Sequence, residues 1–440
     1  MAKAINEGRA LTDDAVAILS NVNRASGYRF WERDELTQEN LNDVCRRVFD
    51  YDLANDFYQA LVNLIGLIIF NHRRWKNPLK LLKHGRLERG EFIEEIFVGL
   101  IKPVDDTIEQ GLTDVFDISK PEVSAAFYRI NWKKKYPVTV NYTELQSAFM
   151  TAQALIDFVK TTIDRLYDSY EIDEYKNMKN ILEEWGRRNN YKLIQVPEPT
   201  TQDNLKELVI EVKAAINEAK FPRHDNNPAG VENWIDNADP YDVVIFVNGR
   251  VDAALSVQVL ASAFNMDEVT FMRSGIKIIV DDFGTMENVV AIIASRDAFK
   301  VFDRDISISD MWNGSNRTRK VWLHVWQVYA ASPFEPAYAL VTDMTTPATV
   351  TVTGPADAVY KAGESYLMHA AVTGTEAGKM FDKAVGWSVT GTTMGKNTWI
   401  GTAGDLHIGA DATGTLTVQA VTIAAGADGS RVSGSLEITL

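Results

Sequence analysis

The chain has 440 residues, 46% of them hydrophobic and 24% charged, a balance that excludes a disordered, collagen-like or disulfide-stapled protein and supports two or three domains. Its 45 Lys and Arg against 60 Asp and Glu give a formal net charge of -15, which argues against a chain whose main task is gripping nucleic-acid phosphates. The single cysteine, Cys45, cannot close an internal disulfide, so synthesis in a cytoplasm is the simpler expectation.

The N-terminus, Met1 to Gly8, has no apolar stretch after its lysine and predicts no signal peptide. Cys45 sits in a helical stretch, Leu41 to Phe49, as a small core side chain. The most apolar run, Leu61 to Phe70, is broken by Asn63 and Gly66 and falls short of the ~20 residues a membrane helix needs. It predicts a buried helix and no membrane role. A basic run follows: His72, Arg73, Arg74, Lys76, Lys80, Lys83, Arg86 and Arg89, with Glu88 the only acid between Asn71 and Arg89. It is either a docking surface for an acidic partner or DNA, or a solvated face balancing acids elsewhere in the fold. Trp75, Leu79, Leu81 and Leu82 interleave it, so one side of the run packs.

Glu91 to Ile101 and Glu122 to Asn141 read as the arms of a long hairpin, with Tyr128, Ile130 and Trp132 alternating against Phe127, Arg129 and Asn131, and a polar tip at Lys102 to Lys120. Lys133, Lys134 and Lys135, close to Arg129, form a second basic cluster. Little sequence remains to cover the ribbon, and an uncovered two-stranded ribbon is only marginally stable. It needs a neighbour to lie on. Thr143 and Gln146 then make a capping-box pair before apolar residues spaced for a helix from Leu155 to Trp185, ended by Gly186. About 35 helical residues would make a rod of ~50 Å.

Beyond the rod the pattern is α/β. Asp203 opens a helix, Asp242 to Val247 is a buried strand, Val251 to Phe264 is helical, and strands return at Ile276 to Val280, Val289 to Ala294 and Val321 to Tyr329, the last after the turn signal Asn313-Gly314. From Thr345 the composition shifts: residues 345–440 hold 14 of the 27 glycines and 17 threonines, which is strand-and-turn chemistry. Short alternating runs at Thr349 to Thr353, Tyr366 to Val372, Val385 to Val389, Leu406 to Ile408, Gly414 to Val421 and Gly434 to Leu440 have the rhythm of an immunoglobulin-like sandwich, with Trp387 as the large ring buried between its sheets.

Catalytic signatures are missing. There is no Gly-rich phosphate loop, no paired-histidine zinc helix and no Gly-x-Ser-x-Gly elbow. The six histidines, His72, His84, His224, His324, His369 and His407, show no i, i+4 pair. Asp281, Asp282, Asp303 and Asp305 are the only candidate acid–base or calcium group, and turn and surface roles are the expectation for them. No catalytic, cofactor-binding or metal-binding residue is nominated.

The order of parts resembles the Hong Kong 97-type fold of tailed-phage major capsid proteins, most specifically at the junction Glu122 to Phe149, where a returning hairpin strand feeds the long helix. Tyr360-Lys-Ala-Gly-Glu, Ala384-Val-Gly-Trp-Ser-Val and Gly414-Thr-Leu-Thr-Val-Gln-Ala are similar to the bacterial immunoglobulin-like group 2 family. A capsid fold followed by such a module resembles the major capsid protein family of phi-29-like short-tailed phages. The resemblance implies an α+β chain in two parts. A shell domain at 1–344 comprises an N-arm at about 1–35, an E-loop at about 85–140, a spine helix at about 143–186, an A-domain at about 190–285 and a P-domain return at about 286–344; an all-β immunoglobulin-like sandwich follows at 345–440. It also implies homo-oligomeric pentameric and hexameric capsomers, scaffolding protein and portal as partners, DNA enclosed without sequence-specific contacts, no enzyme activity or cofactor, and a place in the virion after synthesis in the host cytoplasm. Arg73, Arg74, Lys76, Lys80, Lys83, Arg86, Arg89, Arg129, Lys133, Lys134 and Lys135 are the expected assembly contacts. The alternatives are a bacterial surface adhesin or cell-wall-binding protein, and a hydrolase with a β-sandwich accessory domain.

Overall fold

The computed structural model describes residues 20, 23–24, 75–87, 92–101, 123–141, 165–235, 242–260, 275–316, 318–356, 358–395 and 397–440. Most of the expected N-arm, the Cys45 helix, the run Leu61 to Phe70, the hairpin tip, and the capping box with the first part of the long helix lie outside the described residues. In chain order come a 3-10 turn Pro78–Leu82, β1 Lys83–Arg86, β2 Phe92–Val98, β3 Val123–Arg129, β4 Trp132–Asn141, α1 Arg165–Arg187, β5 Lys192–Gln195, α2 Gln202–Glu218, β6 Val243–Asn248, α3 Gly249–Leu260, β7 Ile276–Val280, β8 Val289–Ser295, β9 Phe299–Asn313, β10 Thr318–Ala331 and β11 Ala337–Val341. The C-terminal strands are β12 Pro347–Thr353, β13 Ser365–Leu367, β14 His369–Gly374, β15 Val385–Thr393, β16 Trp399–Ile400, β17 Asp405–His407, β18 Thr413–Ala425 and β19 Arg431–Thr439. The described chain is mixed α and β with strand predominating. It divides into two compact units: Met1–Gly90, Ile130–Asn177 and Phe302–Val328 form the first, and Glu91–Arg129, Met178–Val301 and Tyr329–Leu440 the second.

In the first unit a four-stranded sheet runs β1-β9-β10-β4. The single hairpin expected over Glu91 to Asn141 is therefore two structures. Only β2 and β3 pair as a ribbon, while β4 joins β10, antiparallel, with Leu323 opposite Tyr136 and Gln327 opposite Trp132. Alternation explains the transfer: Leu323 and Val325 on β10 are buried, and a strand with one apolar face gains more on a sheet than at a ribbon's end. The 3-10 turn starts where Pro78 sits in its first positions and the Asn77 side chain accepts the Leu79 N–H at 2.8 Å. Leu79 and Leu82 are buried beneath it.

The centre of this unit is polar. The buried stripe of α1 carries Tyr167, Tyr170, Glu171 and Glu174, so two carboxylates stand at core positions of a helix. Glu174 accepts hydrogen bonds from Lys83 Nζ at 2.7 Å, the Tyr170 hydroxyl at 2.6 Å and Gln327 Nε2 at 2.8 Å. Lys83 also pairs with Asp303 at 2.9 Å, and Lys80 reaches the fully buried Glu171 at 3.0 Å. Burial pushes the Glu174 carboxyl upward, but Lys83 and the hydrogen bonds from Lys83, Tyr170 and Gln327 outweigh it and leave the group below its ordinary value. Burial likewise lowers Lys83, and Glu174 with Asp303 more than reverse this, so the ammonium is held above its ordinary value.

In the second unit a five-stranded sheet runs β5-β11-β8-β6-β7, with β5–β11 and β6–β7 parallel and β8 antiparallel to both β11 and β6. β6, β8 and β11 are almost wholly apolar because both faces of the sheet are covered. Leu208, Val212, Ala215 and Ile216 of α2 pack on one face against Val243, Ile245, Ile293 and Leu340. The cap of α2 is Thr201, whose hydroxyl accepts the Asn204 N–H at 3.3 Å, two residues before the Asp203 expected to open the helix. On the other face Phe299 lies 6.3 Å from each of the Trp185, Tyr191 and Phe246 rings.

The C-terminal strands form small antiparallel sheets, β12-β14, β13-β17-β16 and β15-β18-β19, around one core of Val350, Val352, Met368, Leu406, Ile408, Leu416, Val418 and Ile438. Gly434 lets β12 approach β19, since a Cβ there would lie 2.2 Å from the Val350 carbonyl oxygen. Trp387 is not the buried centre expected of it. It packs on the edge of this core, half-buried, because Leu406, Leu416 and Val418 already fill the interior.

Replacing Glu174 leaves Lys83 and Gln327 short of an acceptor in a closed interior, so Glu174→Gln is expected to cost about 3 kcal/mol at neutral pH in urea unfolding. The sign with pH follows from the direction of the shift. A carboxyl held below its ordinary value of 4.5 contributes stability above that value and loses it as the pH falls through its folded value. The gap between parent and variant should therefore close on acidification.

Candidate functional site: a ribbon with one uncovered face

β2 and β3 pair with Phe92 opposite Arg129, Glu94 opposite Phe127, Ile96 opposite Ala125 and Val98 opposite Val123. Directly opposed residues share a face, and these are the exposed ones. Phe92, Ile96, Val98, Val123 and Phe127 are each 57–61% exposed, with the Phe92 and Phe127 rings 6.4 Å apart. Leu100 and the 74% exposed Ile101 extend the apolar strip beyond β2. A predominantly apolar face of this kind, with Glu94 and Arg129 as its exposed charges, marks a contact surface.

The opposite face is anchored. Phe97 stacks on Phe334 at 5.6 Å. Glu95 accepts Lys300 Nζ at 2.8 Å and the Ser332 hydroxyl at 3.1 Å through one oxygen, and the Tyr128 hydroxyl through the other. Burial and the bond to Glu95 push the Tyr128 phenol far above its ordinary value. Nearby Glu335 is raised, chiefly by burial, with Glu95 and Asp297 adding repulsion. One carboxylate thus ties both strands to the body while their other face stays open.

The basic residues expected to make contacts are divided by the structure. Arg73, Arg74 and Arg89 lie outside the described residues. Lys83 is an internal cation and Lys80 is engaged by Glu171, so these two hold the first unit together. Lys76, Arg86 and Arg129 are exposed. Lys133, Lys134 and Lys135 are exposed on β4 without a carboxylate partner among the described residues. Lys133 lies 5.2 Å from the centre of the Trp326 ring directly opposite it, and Lys134 lies 5.4 Å from that of Trp132. Lys320 lies 5.7 Å from the Trp322 ring centre, and the register puts Lys135 opposite His324. Alternation puts Lys133, Lys135 and Lys320 on one face of the sheet with Trp322, His324 and Trp326, and Lys134 with Trp132 on the other.

The acidic residues weighed as a catalytic or calcium group have separate duties. Asp281 and Asp282 pair with Lys179 at 3.1 and 2.8 Å, and Asp282 also accepts the Gly284 N–H. Asp303 belongs to the Lys83 network, and Asp305 accepts the Ser307 hydroxyl at 2.9 Å. Among the described residues no three His, Cys, Asp or Glu side chains gather as metal ligands. Sequence reasoning missed Glu95, Glu171 and Glu174. The signal was there for the two on the helix, whose spacing from Tyr167, Tyr170 and Met178 places them on the apolar stripe.

Comparison with known proteins decides among the readings. Residues 21–341 match the Phi29-like phage major capsid protein family. The chain belongs to that family. It is 32% identical over 389 residues to the major capsid protein of Bacillus phage B103, covering 87% of this chain and 84% of that one. It is 29% identical over 388 residues to that of Bacillus phage PZA, with the same coverage. Among solved structures, the capsid of Staphylococcus phage Andhra aligns with a TM-score of 0.49 and 13% identity over 61% of this chain and 84% of that one. A major capsid protein is a structural component of the virion and not an enzyme, which removes the hydrolase and adhesin alternatives.

For this capsid protein Glu95→Ala removes the acceptor shared by Lys300, Ser332 and Tyr128. Amide exchange in β2 and β3 should accelerate by about tenfold or more, while β6 and β8 keep their protection. Hydrogen–deuterium exchange read by mass spectrometry separates the two sets of peptides.

Proposed function

We propose that copies of this chain build an icosahedral shell of pentameric and hexameric capsomers around double-stranded DNA, and that the open face of the β2–β3 ribbon is a principal contact between subunits. The observation that carries this reading is the asymmetry of the ribbon: one face tied down by Glu95 and Phe97, the other a strip of exposed Phe, Ile and Val. Burying such a strip against a second copy supplies area that the isolated chain cannot. In this reading the ribbon is the E-loop of a Hong Kong 97-type subunit, α1 belongs to its spine helix, the five-stranded sheet with its helices is the core of the A-domain, and residues 345–440 are an immunoglobulin-like domain displayed on the shell. Lys76, Arg86, Arg129, Lys133, Lys134 and Lys135, with Arg73, Arg74 and Arg89, are the remaining candidates for contacts with acidic surfaces of neighbouring subunits or of a scaffolding protein. A portal completes the shell, which forms in the host cytoplasm.

The pair Ile96→Asp and Phe127→Asp tests the ribbon. Both side chains are solvent-facing in the free chain, so its stability should change by no more than about 0.5 kcal/mol. Sedimentation and negative-stain electron microscopy, with a scaffold partner present, should show rings, sheets or shells for the parent and only free subunits for the double variant. Normal assembly by the variant would remove the ribbon from the interface.

A further inference from the structure

Within the second unit a cleft of about 210 Å³ lies where β5 and the loop 224–230 meet the C-terminal strands. The loop is held close: Gly230 has φ +68, and a Cβ there would stand 2.9 Å from the Thr402 carbonyl oxygen. Polar groups on the walls have spare capacity. His224, His369 and the Thr402 hydroxyl, all lining the cleft, make no hydrogen bond among the described residues. Asp382 uses one oxygen to accept the Ala384 N–H at 2.9 Å and leaves the other open. Lys383 donates to the Arg188 carbonyl at 3.1 Å and to Asn190 Oδ1, which leaves its third N–H. Trp387, half-buried at the edge of the C-terminal core, supplies an apolar wall.

We propose that this cleft binds one neutral polyhydroxylated ring, a single pyranose unit. Size sets the first limit, since pockets for drug-sized ligands measure about 300–1,000 Å³ and this cleft is smaller. Charge sets the second. Asp225 and Asp382 oppose an anion such as phosphate, while Lys192 and Lys383 oppose a cation, and Lys192 is already paired with Asp225 at 2.5 Å. Burial raises the Asp382 carboxyl and lowers the Lys383 ammonium. What remains is a mixed set of donors and acceptors beside an indole, which is what hydroxyls projecting from a ring with an apolar side require. The inference does not rest on the ribbon contact and stands or falls separately from it.

Saturation-transfer NMR on the full chain tests the assignment, with glucose, galactose and N-acetylglucosamine as probes and inorganic phosphate and putrescine as charged comparators. At least one sugar should receive saturation, and its affinity should fall about tenfold, the worth of one hydrogen bond, in His369→Ala and in Asp382→Asn. The His369 ring is exposed, so His369→Ala should keep the parent melting temperature and remains informative even where Asp382→Asn loosens the fold. Repeating the titration with a soluble polysaccharide ending in the bound sugar distinguishes a surface glycan from a free sugar; binding in either arm supports the site. No transfer to any sugar, stronger binding of phosphate or putrescine, or sugar binding untouched by His369→Ala would overturn it.

Discussion

A two-stranded ribbon has two faces, and a body beneath it can cover only one. In this chain the covered face is fixed by a carboxylate that accepts from Lys300, Ser332 and Tyr128, and by one aromatic stack. The other face carries Phe92, Ile96, Val98, Val123 and Phe127 into solvent. The second unit holds a fully covered five-stranded sheet, so apolar residues were not in short supply for an inner face. Their placement outside is the feature on which the proposed contact between copies of the chain rests.

Ion pairing inside the first unit answers a different demand. A sheet packed on a helix stripe that contains Glu171 and Glu174 cannot be stabilised by apolar burial alone. Lys80 and Lys83 neutralise those carboxylates, and Tyr170 and Gln327 satisfy further lone pairs. A buried pair of this kind adds little net stability compared with a well-packed apolar core, but losing either member is costly. It therefore acts as a register constraint. Only one placement of β1, β9 and β10 along α1 brings Lys83, Asp303 and Gln327 to the same carboxylate.

The same logic separates lysines that a sequence presents as equivalent. Lys80 and Lys83 share a basic run with Lys76 and Arg86, yet the first two point to buried glutamates and the others to solvent. On β4 three consecutive lysines alternate between faces, and two of them lie over indoles. Such rings keep a flexible ammonium extended without neutralising it, which keeps positive charge available on the surface of a chain whose net charge is -15.

Much of the architecture was legible in the residues alone. The strands at Ile276 to Val280 and Val289 to Ala294, the helices after Asp203 and near Val251, and the strand-rich C-terminus all declared themselves by period and turn chemistry, because local backbone preference and one-sided burial act over a few residues. The ribbon's two arms were legible as well, but not that Phe127 and its neighbours on β2 face outward. What the chain order concealed was partnership. The division at Arg129, after which β4 leaves the ribbon for β10, depends on an edge formed nearly two hundred residues later. The displacement of Trp387 to the margin of its core, the burial of Glu171 and Glu174, and the cleft between loop 224–230 and the C-terminal strands likewise depend on which distant surfaces meet. Period and propensity are short-range and written in sequence; the pairing of a charge, the filling of a core and the shape of a cleft are long-range and exist only once the chain has closed on itself.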